Sequence, residues 1–200
     1  MDGMVRRHTT SSPTPDGLFR LSVEQYHAMI RTGVLTEDDD VELIDGVLVQ
    51  KMPRNPPHRN VTRRLAAIFG EVLPDGWFYL SQEAITLEHS EPEPDGMVVR
   101  GVDSDYSDRN PAAGDVALVI EVADTTLERD LVEKLAIYAR GGVATYWVVD
   151  LNASTVHVFS EADPLRGSYT FRTSHIEPKV ISFDLDDRTL QIPFASVLPG

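Results

Sequence analysis

Three side chains have the types and settings that chemistry needs: Asp95, Glu121 and Lys134. Glu121 lies inside Ala117-Leu118-Val119-Ile120-Glu121-Val122, a run otherwise entirely apolar. Burying a carboxylate on such a strand is costly unless it is paired, protonated or bound to a cation. The plainer reading is a strand-end glutamate that reaches solvent or an arginine. Asp95 follows Pro94 and precedes Met97-Val98-Val99, which places its carboxylate at the entry to a strand. Pro-Asp-Gly is also a common turn, in which the aspartate bonds its own backbone. Lys134 is one of only three lysines, against fifteen arginines (18 basic residues less three). It stands among Leu131, Leu135 and Tyr138. Its compact ammonium can be shifted in pKa, whereas a guanidinium stays charged; the alternative is an exposed lysine lying along a helix.

Taken together, the three form one device. Two carboxylates at neighbouring strand ends, with the carbonyl of Val122, make a hard oxygen site suited to Mg²⁺ or Mn²⁺. A lysine beside it can orient or deprotonate water and offset phosphate charge. That combination suits phosphodiester cleavage. The separation of 121 − 95 = 26 residues leaves room for a strand, a long loop and a second strand beside the first.

The elements that must position these groups are legible in outline. Ser22, then Val23, Tyr26, Met29 and Ile30 at helical spacing, then Gly33, predict a short capped helix. Val41–Ile44 and Val47–Gln50 around Asp45-Gly46 predict a hairpin with a type I′ turn. Pro53 to Pro57 break the chain. A helix over about 58–72 carries Val61, Leu65, Ile68 and Val72 on one stripe. Strands are expected at 77–81, 83–88 and 95–99, with a long exposed loop over 100–115. Val116 to Ala123 reads as a central strand covered on both faces. Thr126 is expected to cap a helix over 127–139 that stops at Gly141-Gly142. Strands follow at 145–149 and 155–159, then short strands and turns, with 190–197 as a closing segment. This order predicts an α/β fold, a mixed sheet flanked by helices. Residues 1–17 are expected to be a disordered tail, and 18–200 a single domain.

Composition narrows the field. With 200 residues, 42% of them hydrophobic, the chain can bury one sizeable core. The absence of cysteine excludes disulfides, thiolate metal sites and cysteine nucleophiles. No apolar run reaches the ~18–20 residues of a membrane span, so no membrane partner and a cytoplasmic location are expected. The net charge of −14 argues against a general electrostatic grip on nucleic acid, and an acidic surface also serves solubility. That charge is uneven: residues 1–80 carry 9 basic and 11 acidic groups, while 81–200 carry 9 and 21. An anion-binding surface therefore belongs to the first part. Residues 54–64 hold Arg54, His58, Arg59, Arg63 and Arg64 and no acid. His58, Arg59 and Arg63 are candidates for phosphate contact; the alternative is a solvated helix face.

The ordered set Glu42-Leu43-Ile44-Asp45-Gly46, Met52-Pro53, His58, Pro94-Asp95, Leu118-Val119-Ile120-Glu121-Val122, Asp130, Lys134, Tyr138 and Gly142 to Asp150 resembles the restriction-endonuclease family of the Uma type, within the PD-(D/E)XK nuclease superfamily. The resemblance spans about residues 19–160. It implies a restriction-endonuclease-like fold, Asp95 and Glu121 as metal ligands, and Lys134 as the catalytic lysine. Glu42 matches the family's N-terminal glutamate, a further acid of the metal site; a solvent-facing hairpin residue is the alternative. Ala123 stands where the superfamily's short motif has lysine, and Lys134 on the following helix takes that place. Ala123-Asp124-Thr125-Thr126 and Arg54-Asn55-Pro56-Pro57 also depart from the family pattern.

Two functions follow. One is a Mg²⁺- or Mn²⁺-dependent endonuclease acting on nucleic acid, DNA first. The other is an inactive nuclease-fold module that binds a protein or nucleic-acid partner. A glycosidase on paired carboxylates would leave Lys134 and the arginines without a role. Nucleases that cut both strands commonly pair two sites, so a homodimer is the assembly to consider.

Overall fold

A computed structural model of the chain describes residues 17–198, the side chains of Glu37 and Ser196 aside. The expected tail lies outside the described residues except for Gly17. Helix α1 (Val23–Arg31) is closed at its start by Ser22 and Gln25, each side chain bonding the other's backbone N–H. Strands β1 (Val41–Ile44) and β2 (Val47–Gln50) pair antiparallel. The turn between them has positive φ at both Asp45 (46°) and Gly46 (76°), as type I′ requires.

Helix α2 (Pro56–Val72) starts on Asn55, whose side chain accepts from the His58 N–H. Its buried stripe of His58, Val61, Thr62, Leu65 and Phe69 follows the helical repeat, so the same pattern that packs Leu65 also turns His58 inward. Arg59 and Arg63 fall on the opposite, exposed face.

The main sheet has six strands in the order β3-β4-β5-β6-β7-β8. These are β3 (Trp77–Leu80), β4 (Gly96–Arg100), β5 (Val116–Ala123), β6 (Thr145–Asp150), β7 (Thr155–Asp163) and β8 (Ser168–Ile176). The β5–β6 pair is parallel and its neighbours are antiparallel, so the sheet is mixed. A parallel pair needs a crossover, and this one runs through three helical pieces: α3 (Leu127–Arg129), a π turn (Asp130–Lys134) and α4 (Leu135–Gly141). Strands β9 (Ile181–Leu185) and β10 (Arg188–Ile192) form a closing hairpin.

Alternation along β5 splits the core in two. Leu118, Ile120 and Val122 pack with Val61, Leu65, Phe69 and the closing hairpin's Phe183 and Ile192. Val119 and Ala123 pack with Ile44, Ile137, Tyr138 and Tyr146 on the crossover side. Glu121 shares the parity of Val119 and Ala123, so its carboxylate is committed to the face under the crossover.

The expected strand over 83–88 does not form. Ile85 and Leu87 are buried, yet the N–H groups of 85, 86 and 87 bond the carbonyls of Pro92, Pro111 and Ser90. Loop partners replace a ladder there. The 100–115 segment contains two short 3-10 turns, Asp103–Tyr106 and Ala113–Asp115. Thr126 caps no N–H; its hydroxyl goes to the Asp130 carboxylate instead. Among the described residues no helix is long and apolar enough to cross a membrane.

Candidate active site

Where β4 and β5 meet the crossover, a cavity of about 70 Å³ opens, with room for a few water molecules. Glu42, His58, Asp95, Glu121, Val122 and Lys134 all line it. Of the residues proposed from sequence, only Arg59 and Arg63 stand elsewhere, in a shallow recess with Thr62, Ser81 and Gln82 on the exposed side of α2.

Asp95 sits one residue before Gly96, which pairs with Ile120, so strand register brings it beside Glu121. One of its oxygens, Oδ2, accepts from the Val122 N–H at 2.8 Å and lies 3.0 Å from His58 Nε2. His58, expected beside phosphate, sets its Nε2 against Asp95 and is 9% exposed. The other oxygen, Oδ1, faces Arg54 Nε at 3.7 Å, beyond hydrogen-bond range.

Glu121 Oε1 takes the Lys134 ammonium at 2.8 Å and the Tyr138 hydroxyl at 2.7 Å. Lys134 and Tyr138 are one helical turn apart, so a single stripe of the crossover delivers both donors. Burial drives the Glu121 carboxyl up, to about 8; Lys134 opposes the rise, and Asp130 and Asp95 add to it. Burial pulls the Lys134 ammonium down, but Glu121, Glu42 and Asp130 outweigh that and hold it above its ordinary value. The two shifts bear on one bond, because Glu121 lifts Lys134 only while Glu121 is charged. At 2.8 Å the geometry favours the charged pair. The rise at Glu121 is set first by its burial, with the negative charge of Asp130 and Asp95 adding to it. Lys134 is therefore held as a cation here, suited to offsetting charge rather than removing a proton.

Glu42 comes from the N-terminal hairpin and is 3% exposed. It accepts from Arg129 at 2.9 Å and from the Glu93 N–H at 3.2 Å. The solvent-facing alternative does not hold for it. Glu93 is clamped by Lys51 at 2.5 Å and Arg54 at 2.8 Å, and the clamp overcomes burial to keep its carboxyl below the usual range.

Sequence reasoning gave no role to several residues of this cavity. Glu93 was hidden in the Glu91-Pro92-Glu93-Pro94 loop, and Arg129 and Asp124 carried no signal of their own. Asp130 stood only as part of the family pattern, although it is four residues from Lys134; Tyr138, read from the sequence as a neighbour of Lys134, is not among the residues lining the cavity. Asp130 is buried, and its carboxyl is raised by that burial against the pull of Lys134 and the Thr126 hydroxyl. Tyr146 donates to its carbonyl at 3.0 Å. Asn55 donates to Asp124 across the cavity mouth.

The donor set suits a hard divalent ion in kind: two carboxylates and a carbonyl on one cavity, with an excess of acid that such an ion would relieve. Mg²⁺ is commonly held by one or two carboxylates plus water and phosphate oxygen. No three His, Asp or Glu side chains among the described residues converge tightly enough to cage an ion alone.

Comparison with known proteins agrees with this geometry. The family model Uma2, described as "Putative restriction endonuclease", matches residues 23–186. The fold is similar to that of a crystal structure titled as a putative nuclease belonging to DUF820, from Anabaena variabilis, with a TM-score of 0.61 and 16% identity. That similarity covers 84% of this chain and 90% of the other. No curated protein matches the chain. With a restriction-endonuclease-like sheet, the acids and lysine gathered at one cavity, and a family match over most of its length, the chain belongs to the Uma2 family.

Proposed function

We propose that residues 18–200 form one domain that acts as a metal-dependent endonuclease, hydrolysing phosphodiester bonds of nucleic acid, DNA first. One observation carries the reading: Asp95, Glu121 and Lys134, distant in sequence, line one cavity, with the lysine 2.8 Å from the glutamate. Asp95, Glu121 and the Val122 carbonyl would hold Mg²⁺ or Mn²⁺. When bound, the ion would polarise the phosphoryl oxygen and lower the pKa of a bound water. Lys134 offsets charge on the phosphate and keeps Glu121 Oε1 in place; Tyr138 steadies the same oxygen. His58 and the Val122 N–H fix the orientation of Asp95. Glu42 anchors Arg129 at the rim. Arg59 and Arg63 meet backbone phosphates leaving the cavity along α2. Cutting both strands would take two such sites, and we propose a cytoplasmic homodimer, checked by sedimentation.

The test is cleavage of plasmid and single-stranded DNA with Mg²⁺ or Mn²⁺. Wild type should cut, and Glu121→Ala and Lys134→Ala should each lose at least about a hundredfold in rate. Equal trace activity in all three refutes the reading. A second reading, an inactive nuclease fold that binds a partner, is favoured by the net charge of −14. Calorimetry separates the two: an active site should bind Mn²⁺ and lose that binding in Asp95→Asn.

A further inference from the structure

Building on the endonuclease reading, we propose that Arg54 is the side chain that receives the substrate phosphodiester, and that in the resting protein its guanidinium stands where the metal's charge will be. Asp95 Oδ2 is already committed to His58 and the Val122 N–H. Oδ1 is the oxygen left for an ion, and the cation facing it is Arg54, at 3.7 Å. That distance is charge proximity without a hydrogen bond, so little holds the pair together.

Arg54 is anchored instead on Glu93, at 2.8 Å. Glu93 does not depend on it, because Lys51 holds the same carboxylate at 2.5 Å. Arg129, the other rim arginine, is tied to both Glu42 and Glu133 and touches neither Asp95 nor Glu121. Arg54 is also the more open of the two, with its side chain 30% exposed against 20% for Arg129. It stands on the loop just before the Asn55 cap, outside any helix.

A divalent ion held by Asp95 would repel this guanidinium, while the two non-bridging oxygens of a phosphodiester would offer its planar fork a two-pronged acceptor. Arg54 thus gives up Asp95 and takes the phosphate, with Glu93 as the pivot. It offsets the charge of Asp95 by itself and would position the substrate beside a bound ion.

The test compares wild type, Arg54→Ala and Arg54→Lys, each checked for native circular dichroism. Mn²⁺ affinity is measured by calorimetry without nucleic acid. Binding of a fluorescent oligonucleotide with phosphorothioate linkages is measured in Ca²⁺. Arg54→Ala should bind Mn²⁺ several-fold more tightly and the oligonucleotide roughly tenfold or more weakly. Arg54→Lys should stay near wild type for Mn²⁺ and still weaken for the oligonucleotide, because the fork is lost. Unchanged or weaker Mn²⁺ binding in Arg54→Ala overturns the proposal, as does unchanged oligonucleotide binding. If wild type itself binds no Mn²⁺, the endonuclease reading falls and takes this one with it. That result is told apart by the silent wild type.

Discussion

Replacing Lys134 by methionine should destabilise the metal-free protein by about 2–4 kcal/mol at neutral pH. The magnitude comes from the pair it breaks. At 2.8 Å and an effective dielectric of about 20, the ammonium and carboxylate attract by about 6 kcal/mol. Against this stands the desolvation of Lys134, whose side chain is 10% exposed, at several kcal/mol. Removing one member of a buried pair typically costs about 3–5 kcal/mol, since the other charge is stranded. The lower end applies here because Tyr138 still donates to the same oxygen. The cost should also depend on pH. Burial raises the Glu121 pKa above its unfolded value, so the folded chain holds that proton more tightly than the unfolded one and stability falls as pH rises through that window. Without Lys134 the carboxyl rises further and the window extends to higher pH, so the penalty shrinks as pH drops towards about 5 and the carboxyl takes its proton. Urea unfolding of wild type, Lys134→Met, Glu121→Gln and the double variant from pH 5 to 9 measures this. The double variant should recover about 1–2 kcal/mol over Lys134→Met. A single-variant cost below about 0.5 kcal/mol, additive with Glu121→Gln, would show that no buried ion pair exists.

Three further outcomes are expected. A Cβ at Gly96 would sit 1.7 Å from the Tyr79 hydroxyl, and that ring is stacked on Phe69, so Gly96→Ala should cost about 1–3 kcal/mol in denaturant melts, partly recovered by adding Tyr79→Ala. Glu93 has a lowered folded pKa, so it stabilises above its unfolded pKa and loses this as pH falls through the folded one. Glu93→Gln should therefore be less stable by about 1 kcal/mol at pH 7 and equal to wild type below about pH 3, by urea midpoints. Tyr138→Phe removes one of the two donors to Glu121 Oε1 and should lower stability by about 1 kcal/mol, with a loss of cleavage rate well short of that in Lys134→Ala.

The parts of the fold that showed in the sequence are those where one local rule decides. Asp45-Gly46 demanded positive φ, and the turn has it at both residues. The apolar run at 116–123 demanded two covers and has both. Ile85 and Leu87 misled because alternation reports burial alone; their backbone partners are distant loops. Thr126 preceded a helix as a cap should, but its hydroxyl had a closer acceptor in Asp130. In the site, Glu121 was visible as a charge in an apolar strand. Arg54 showed only as part of the basic stretch 54–64, and Arg129 and Glu93 not at all, because a rim ion pair is set by tertiary approach and leaves no period or spacing behind.

The π turn at Asp130–Lys134 has a bearing on how such a centre can be altered. A π turn amounts to an α-helix carrying one surplus residue, and each residue of slip rotates whatever follows by about 100° around the axis. Since the ammonium arrives on this helix while Ala123 fills the strand position, its aim is adjustable by adding or removing a single helical residue. The sheet that holds Asp95 and Glu121 would be left untouched.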